Sequence, residues 1–164
     1  MHLLPRKLQG ASTTAAIALS LAAFAAPLAA QKSILSVSGG TITFPAPTAA
    51  DYIAGFVNSA TGATFNVNAQ TGTSRTTIIT IRSSSASLGN GKSIGDLQWR
   101  RSDLATWNDI TLADAQVEQR IVVRNVLNDP WSNTIFFRLK LNWTTDAPGT
   151  YTANYQITVA QTVP

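Results

Sequence analysis

The sequence predicts an all-β fold: a single antiparallel β-sandwich of about eight strands over residues 31–164, following a cleaved N-terminal signal helix. Three observations carry this. From Gln31 onward, apolar and polar residues alternate in short runs, the period of strands buried on one face. The runs are bounded by turn signals such as Gly89-Asn90-Gly91 and Asn128-Asp129-Pro130. No long segment of this region sustains helical spacing, so strands have only each other to pack against.

Residues 1–30 are a different polymer. Arg6 and Lys7 precede "ASTTAAIALSLAAFAAPLAA", a run of small apolar residues with the composition of a secretory signal peptide. Its apolar stretch from Ala15 to Ala26 falls short of the roughly 20 residues a membrane-spanning helix needs. Cleavage after Ala30 makes Gln31 the mature N-terminus, with Ala23-Phe24-Ala25 a competing site. The protein is therefore expected to be exported, to the periplasm, the cell surface or the medium, with no membrane span once the signal is removed.

The strands follow in order. "GTITFPAP" alternates Ile42 with Phe44, and "ADYIAGFVNS" reads as a strand with Ile53, Gly55 and Val57 on one face. "ATFNVNAQ" turns Ala63, Phe65, Val67 and Ala69 inward against polar alternates. "RTTIITIRSSS" is rich in β-branched residues, "DLQWRR" carries Leu97 and Trp99, and "QVEQRIVVRNVL" sets Val117 with Ile121 and Val123. Between the last two, Leu112 to Glu118 has partial helical spacing, but a loop followed by a strand is preferred. At the end, Ile135, Phe137, Leu139, Leu141 and Trp143 share one face, and Tyr151, Ala153, Tyr155, Ile157 and Val159 share another. Pro148-Gly149 between them fits the centre of a type II turn, giving a hairpin with both stripes toward one core. A closed barrel is the alternative to a sandwich, since either must manage its edges.

The ending "DAPGTYTANYQITV" resembles the closing strand of bacterial exported domains with an immunoglobulin-like fold, and "TAADYIAGFV" and "IGDLQWRRSD" resemble segments recurrent in the same secreted proteins. Asp146, Gly149 and Tyr151 are similar to a tyrosine corner, in which a Tyr hydroxyl bonds back to upstream backbone. The resemblance implies an immunoglobulin-like sandwich and no particular binding site. Ala153 stands where an antibody domain has its Cys.

Composition excludes several chemistries. The chain contains no Cys, which rules out thiol catalysis and a disulfide framework, and its single histidine, His2, lies in the signal. Ser-His-Asp catalysis thus lacks its base. Asp96, Asp103, Asp109, Asp114, Glu118, Asp129 and Asp146 are scattered among turns, where Asp caps backbone amides, so no catalytic pair is assigned and the protein is read as a non-enzyme without a cofactor. Asp103, Asn108, Asp109 and Asp114 offer oxygen ligands but not the spacing of an EF-hand, and no metal site is assigned. Gly91-Lys92-Ser93 imitates the end of a phosphate loop, but Ala86 replaces the first glycine, and the segment reads as a hairpin turn. Loss of Arg6 and Lys7 lowers the formal charge from +4 to +2, which with no basic cluster beyond Arg100-Arg101 argues against nucleic acid.

What remains is a structural or interaction protein: a surface, fimbrial or extracellular-matrix subunit whose partners are itself or another surface protein. In "QKSILSVSGGTITF", Ile34, Leu35 and Val37 form an assembly-strand candidate that pairs either with its own sheet or with a neighbouring subunit. The alternative is a carbohydrate-binding module. Trp99 and Trp143 follow their strands' apolar stripes and read as core, whereas Trp107 and Trp131 lie among polar residues and, with Asn108, Asp109 and Asn133, form the candidate ligand site. Tyr52 and Phe136, on the opposite parity, mark a second buried face or an interface.

Overall fold

A computed structural model describes residues 32–37, 40–71, 74–122 and 126–162; the expected signal segment 1–30 lies outside them. The described residues form β1 (Lys32–Val37), β2 (Thr41–Phe44), α1 (Ala49–Ala54), β3 (Phe56–Asn58), β4 (Ala63–Thr71), β5 (Arg75–Ser83), a 3-10 turn at Ile94–Asp96, β6 (Leu97–Arg101), β7 (Asn108–Asp109), β8 (Ala115–Val122), β9 (Val126–Lys140) and β10 (Tyr151–Thr162). They make two antiparallel sheets. The first runs β1-β4-β9-β6-β7 with β3 also on β9, and the second runs β2-β10-β5-β8.

The alternation read in the sequence becomes two inward stripes. Phe65 and Val67 of β4, Ile135, Phe137 and Leu139 of β9, and Leu97 of β6 are each at most 1% exposed. Ile79 and Ile81 of β5, Phe44 of β2 and Tyr151 of β10 meet them from the second sheet at 0%. The Phe137 and Tyr155 rings touch across the interlayer with centroids 5.2 Å apart. Each such fully buried side chain stabilises the fold by about 1.5–3 kcal/mol relative to exposure. Trp99, at 4% exposure, belongs to this core as expected.

The strand expected over Ile53 to Val57 is instead α1 followed by β3, and Ile53 is 80% exposed. The cause is local: Thr48 Oγ1 accepts from Asp51 N at 3.3 Å, while the Asp51 carboxylate accepts from Thr48 N at 2.8 Å. This capping box starts a helix, and Gly55, with φ +78°, ends it in the left-handed region. Only Val57 of the expected inward set is buried. Residues 110–114 are a loop leading into β8, as preferred, but a bulge opposite Ile79 and Thr80 shifts the parity there. Val117 and Glu118 are consequently both buried and Ile121 is 72% exposed.

The expected terminal hairpin is not one. β9 pairs with β3, β4 and β6, whereas β10 pairs with β2 and β5, so the link over 141–150 crosses from one sheet to the other. Both stripes do face one core, from opposite sides. β9 stops at Lys140, so Trp143 does not continue its stripe; it sits in a turn, 59% exposed, stacked on Tyr52 with centroids 4.5 Å apart. The crossing link is clasped at its middle. Lys92 Nζ, on a side chain 5% exposed, lies 2.5 Å from the Asp146 carboxylate and 3.2 Å from Asp96. Asp146 also accepts from Asn142 N at 2.7 Å, and the Tyr151 hydroxyl donates to Ala147 O. Burial pushes the Asp146 carboxyl up, but the hydrogen bonds from Lys92 and Asn142 outweigh it and hold the group below its ordinary range. Gly89, Asn90 and Gly91 all have positive φ and form the tight turn that carries Lys92 inward.

Candidate functional site

The site is built from the residues that the inward stripes leave behind. Where β3, β6 and β9 lie side by side, every second side chain points away from the core: Phe56 on β3, Arg100 on β6, Phe136 and Arg138 on β9. The loop 102–107 folds back along this outer face and adds Ala105 and Trp107. Together with Asn58 and Ser59 they enclose a groove of about 560 Å³, within the usual size of ligand sites.

Rings and guanidinium groups alternate along the groove. The Arg138 guanidinium carbon lies 5.0 Å from the Phe56 ring centre and 4.4 Å from that of Trp107; Arg100 lies 5.1 Å from Trp107 and 5.2 Å from Phe136. Each cation is attracted to the negative face of its ring, worth about 0.5–1 kcal/mol at an exposed site. The arrangement thereby fixes two long side chains that would otherwise be mobile. Arg138 is further held by Nε donating to Gln98 Oε1 at 2.7 Å, and Arg100 by Nη1 donating to Leu104 O at 2.8 Å. At the rim, Asp109 accepts from Gln98 Nε2 at 2.7 Å and from Lys140 Nζ at 3.2 Å. The hydrogen bond from Gln98, then that from Lys140, lowers the Asp109 carboxyl below its ordinary range. Among the described residues, neither Arg100 nor Arg138 has a carboxylate at ion-pair distance.

The candidate ligand residues are divided between two places. Trp107 lines the groove, Asp109 stands at its rim, and exposed Asn108 pairs with Trp99 across β7 and β6. Trp131 is elsewhere: it is 8% exposed on the inward parity of β9, with the Arg120 guanidinium 4.8 Å over its ring. Asn133, two residues on, accepts from Ser102 Oγ at 2.9 Å and donates to Asp103 at 3.4 Å. Asp103 is paired with Arg101, whose hydrogen bond, helped by that of Asn133, brings its carboxyl down to about 2. Arg101 and Arg120 both face the buried carboxylate of Glu118, so this end of the interlayer is closed by an ion network. The three carboxylates among the oxygen-ligand candidates do not converge: Asp103 pairs with Arg101, Asp109 with Lys140 and Asp114 with Arg82.

The assembly-strand residues lie in β1, which pairs with β4 of its own sheet: Ile34 opposite Asn68, Leu35 opposite Val67 and Val37 opposite Phe65. β1 ends the first sheet, with its other edge unpaired among the described strands. No described helix is long and apolar enough to cross a membrane.

Sequence reasoning found Trp107 and singled out Phe136 by its parity but missed Phe56, Arg100 and Arg138. The signal was present: an aromatic and an arginine two residues apart on the outward parity of β9, where a solvated strand face carries small polar residues. No known family model matches the chain, and no curated protein or solved structure matches it either.

Proposed function

We propose that the protein is an exported, non-enzymatic interaction protein, of the immunoglobulin-like type, whose working surface is the outer face of its first sheet. The carrying observation is the alternation Phe56, Arg138, Trp107, Arg100, Phe136 along one groove. A face that only had to be solvated would not hold three large rings half out of water; rings and unpaired cations together make a recognition surface. The bond from the Tyr151 hydroxyl to Ala147 O supports the immunoglobulin-like assignment, since it is the bond of a tyrosine corner.

The test is a titration of the isotope-labelled protein with short oligosaccharides, neutral and acidic, and with short peptides, followed by amide chemical shifts. Shifts confined to residues 56–59, 98–107 and 136–140 uphold the reading. Shifts that cluster elsewhere, or no shifts with any probe, remove it.

A second reading, the fimbrial or matrix subunit, rests on β1, whose free edge offers a neighbour's strand one row of backbone groups. Light scattering with negative-stain microscopy tests it, using protein that begins at Gln31 beside protein that begins at Gly40. Filaments lost on truncation support it, and monomers throughout end it.

A further inference from the structure

We infer that the groove's ligand is an acidic carbohydrate chain, a polymer of uronate-type sugars whose carboxylates are taken by Arg100 and Arg138. This rests on the groove being the recognition surface and adds the chemical class of what it takes.

The argument starts from charge. Two guanidinium cations are held within 5.1 Å of the same Trp107 ring centre, and like charges so placed repel. Lys140 at the rim is already matched by Asp109. The groove thus carries two positive charges in excess, and a ligand bearing carboxylates would supply the negative charges that balance them.

The donors have the right form. Arg138 spends only Nε, on Gln98, which leaves both terminal nitrogens without an acceptor among the described residues. Arg100 spends Nη1 on the carbonyls of Arg101 and Leu104, leaving Nε and Nη2. The ring contacts hold each guanidinium in place while its unused N–H groups stay available, and that planar fork matches a carboxylate bidentately.

The rest of the groove favours sugar over other anions. The Asn58 side chain has no hydrogen-bond partner among the described residues, and its exposed amide offers both donor and acceptor to a hydroxyl. Phe56, Trp107 and Phe136 provide apolar ring surface for the C–H faces of a pyranose. A nucleic-acid strand would need a cationic track that follows its backbone, and this face has two unpaired cations. An acidic peptide would bring no ring faces to the aromatic positions.

The experiment is calorimetric titration of the purified protein with a galacturonate hexamer and a mannuronate hexamer. The fully methyl-esterified galacturonate hexamer, oligothymidylate and a glutamate hexapeptide serve as contrasts. The expected result is binding of at least one uronate that weakens steeply with salt, weak or absent binding of the ester, and roughly a tenfold loss in each of Arg100→Gln and Arg138→Gln. Arg138→Lys keeps the charge but loses the fork, and is expected to recover only part of the affinity. The variants' melting temperatures are checked against the parent's, since both positions are half-buried.

Equal binding of the uronate and its ester, lost in Trp107→Ala, would overturn the acidic-sugar inference and leave the groove reading standing. Tighter binding of oligothymidylate or the glutamate peptide through the same arginines would overturn it in the same way. Uronate binding untouched by Trp107→Ala, Arg100→Gln and Arg138→Gln would overturn both. Failure of both uronates to bind overturns the inference alone.

Discussion

Replacing Lys92 with Met is expected to cost about 3 kcal/mol, at the lower end of what is lost when one member of a buried ion pair is removed. The figure follows from what Asp146 keeps. Its side chain is 6% exposed, so an unpaired carboxylate there is poorly hydrated. Asn142 N still donates to it at 2.7 Å, which spares it the full penalty. Met matches the apolar stem of Lys in length and volume, so the loss reports the charge and not a cavity. The reciprocal change, Asp146→Asn, should cost less, because Lys92 retains Asp96 at 3.2 Å.

Urea unfolding at several pH values is the assay, and the sign of the pH dependence is the sharper readout. In the parent, the Asp146 pKa is depressed, so its contribution is complete above the ordinary carboxylate value of about 4 and is lost as pH falls through the folded value. Without Lys92, burial acts unopposed by a cation and the Asp146 pKa should rise. The penalty in Lys92→Met should then shrink as pH falls through the raised pKa of the variant's Asp146, where the carboxyl takes up its proton. A midpoint equal to the parent's at every pH would refute the reasoning, because a 5%-exposed ammonium beside a 6%-exposed carboxylate cannot be removed without consequence.

Other outcomes follow from the fold. Trp99→Ala should cost about 3–5 kcal/mol and Trp143→Ala no more than about 1.5, since one ring is 4% exposed and the other 59% and held mainly by Tyr52; the two urea midpoints measure this directly. Gly62→Ala should cost about 1–3 kcal/mol, because a Cβ there would sit 2.6 Å from Thr134 Cγ2 and 2.9 Å from Ile135 O, read as a fall in melting temperature. Tyr155→Asp should abolish the cooperative transition in circular dichroism at neutral pH, since it places a carboxylate at a 6%-exposed position against Phe137. Thr48→Ala should cost about 1 kcal/mol and raise amide exchange in residues 49–54 without disturbing the sheets.

Period-2 alternation made β4 and β10 legible, because along Ala63–Ala69 and Tyr151–Ile157 every second residue is buried and the pattern needs no knowledge of the partner strand, while β-branched composition marked β5. Partner choice is a different matter. Tyr151 to Val159 face the core whether they pair with β9 or with β5, so the sequence was equally compatible with a hairpin and with the crossing that the sheets adopt. Helix α1 was missed since six residues are too few to establish a period, although Thr48 and Asp51 carried a capping box in plain view. Trp143 was misplaced by extending a stripe past Lys140, where the strand had ended. Phe136 and Arg138 were signalled by their outward parity, but the assembly of the groove and of the Lys92–Asp146 pair was not, because positions such as Phe56 and Trp107, or Lys92 and Asp146, are brought together only by the sheet order.

The place of β10 in the second sheet also sets an order of events. It lies between β2 and β5, pairing Tyr151 with Phe44 on one side and Thr162 with Thr76 on the other. Until residues 151–162 arrive, β2 has no neighbour and β5 has only β8. The interlayer therefore closes late, through contacts of long sequence separation that make folding slow. A chain delivered N-terminus first could pair the strands of its first sheet early, but it would seal the space between the two sheets only when residues 151–162 follow.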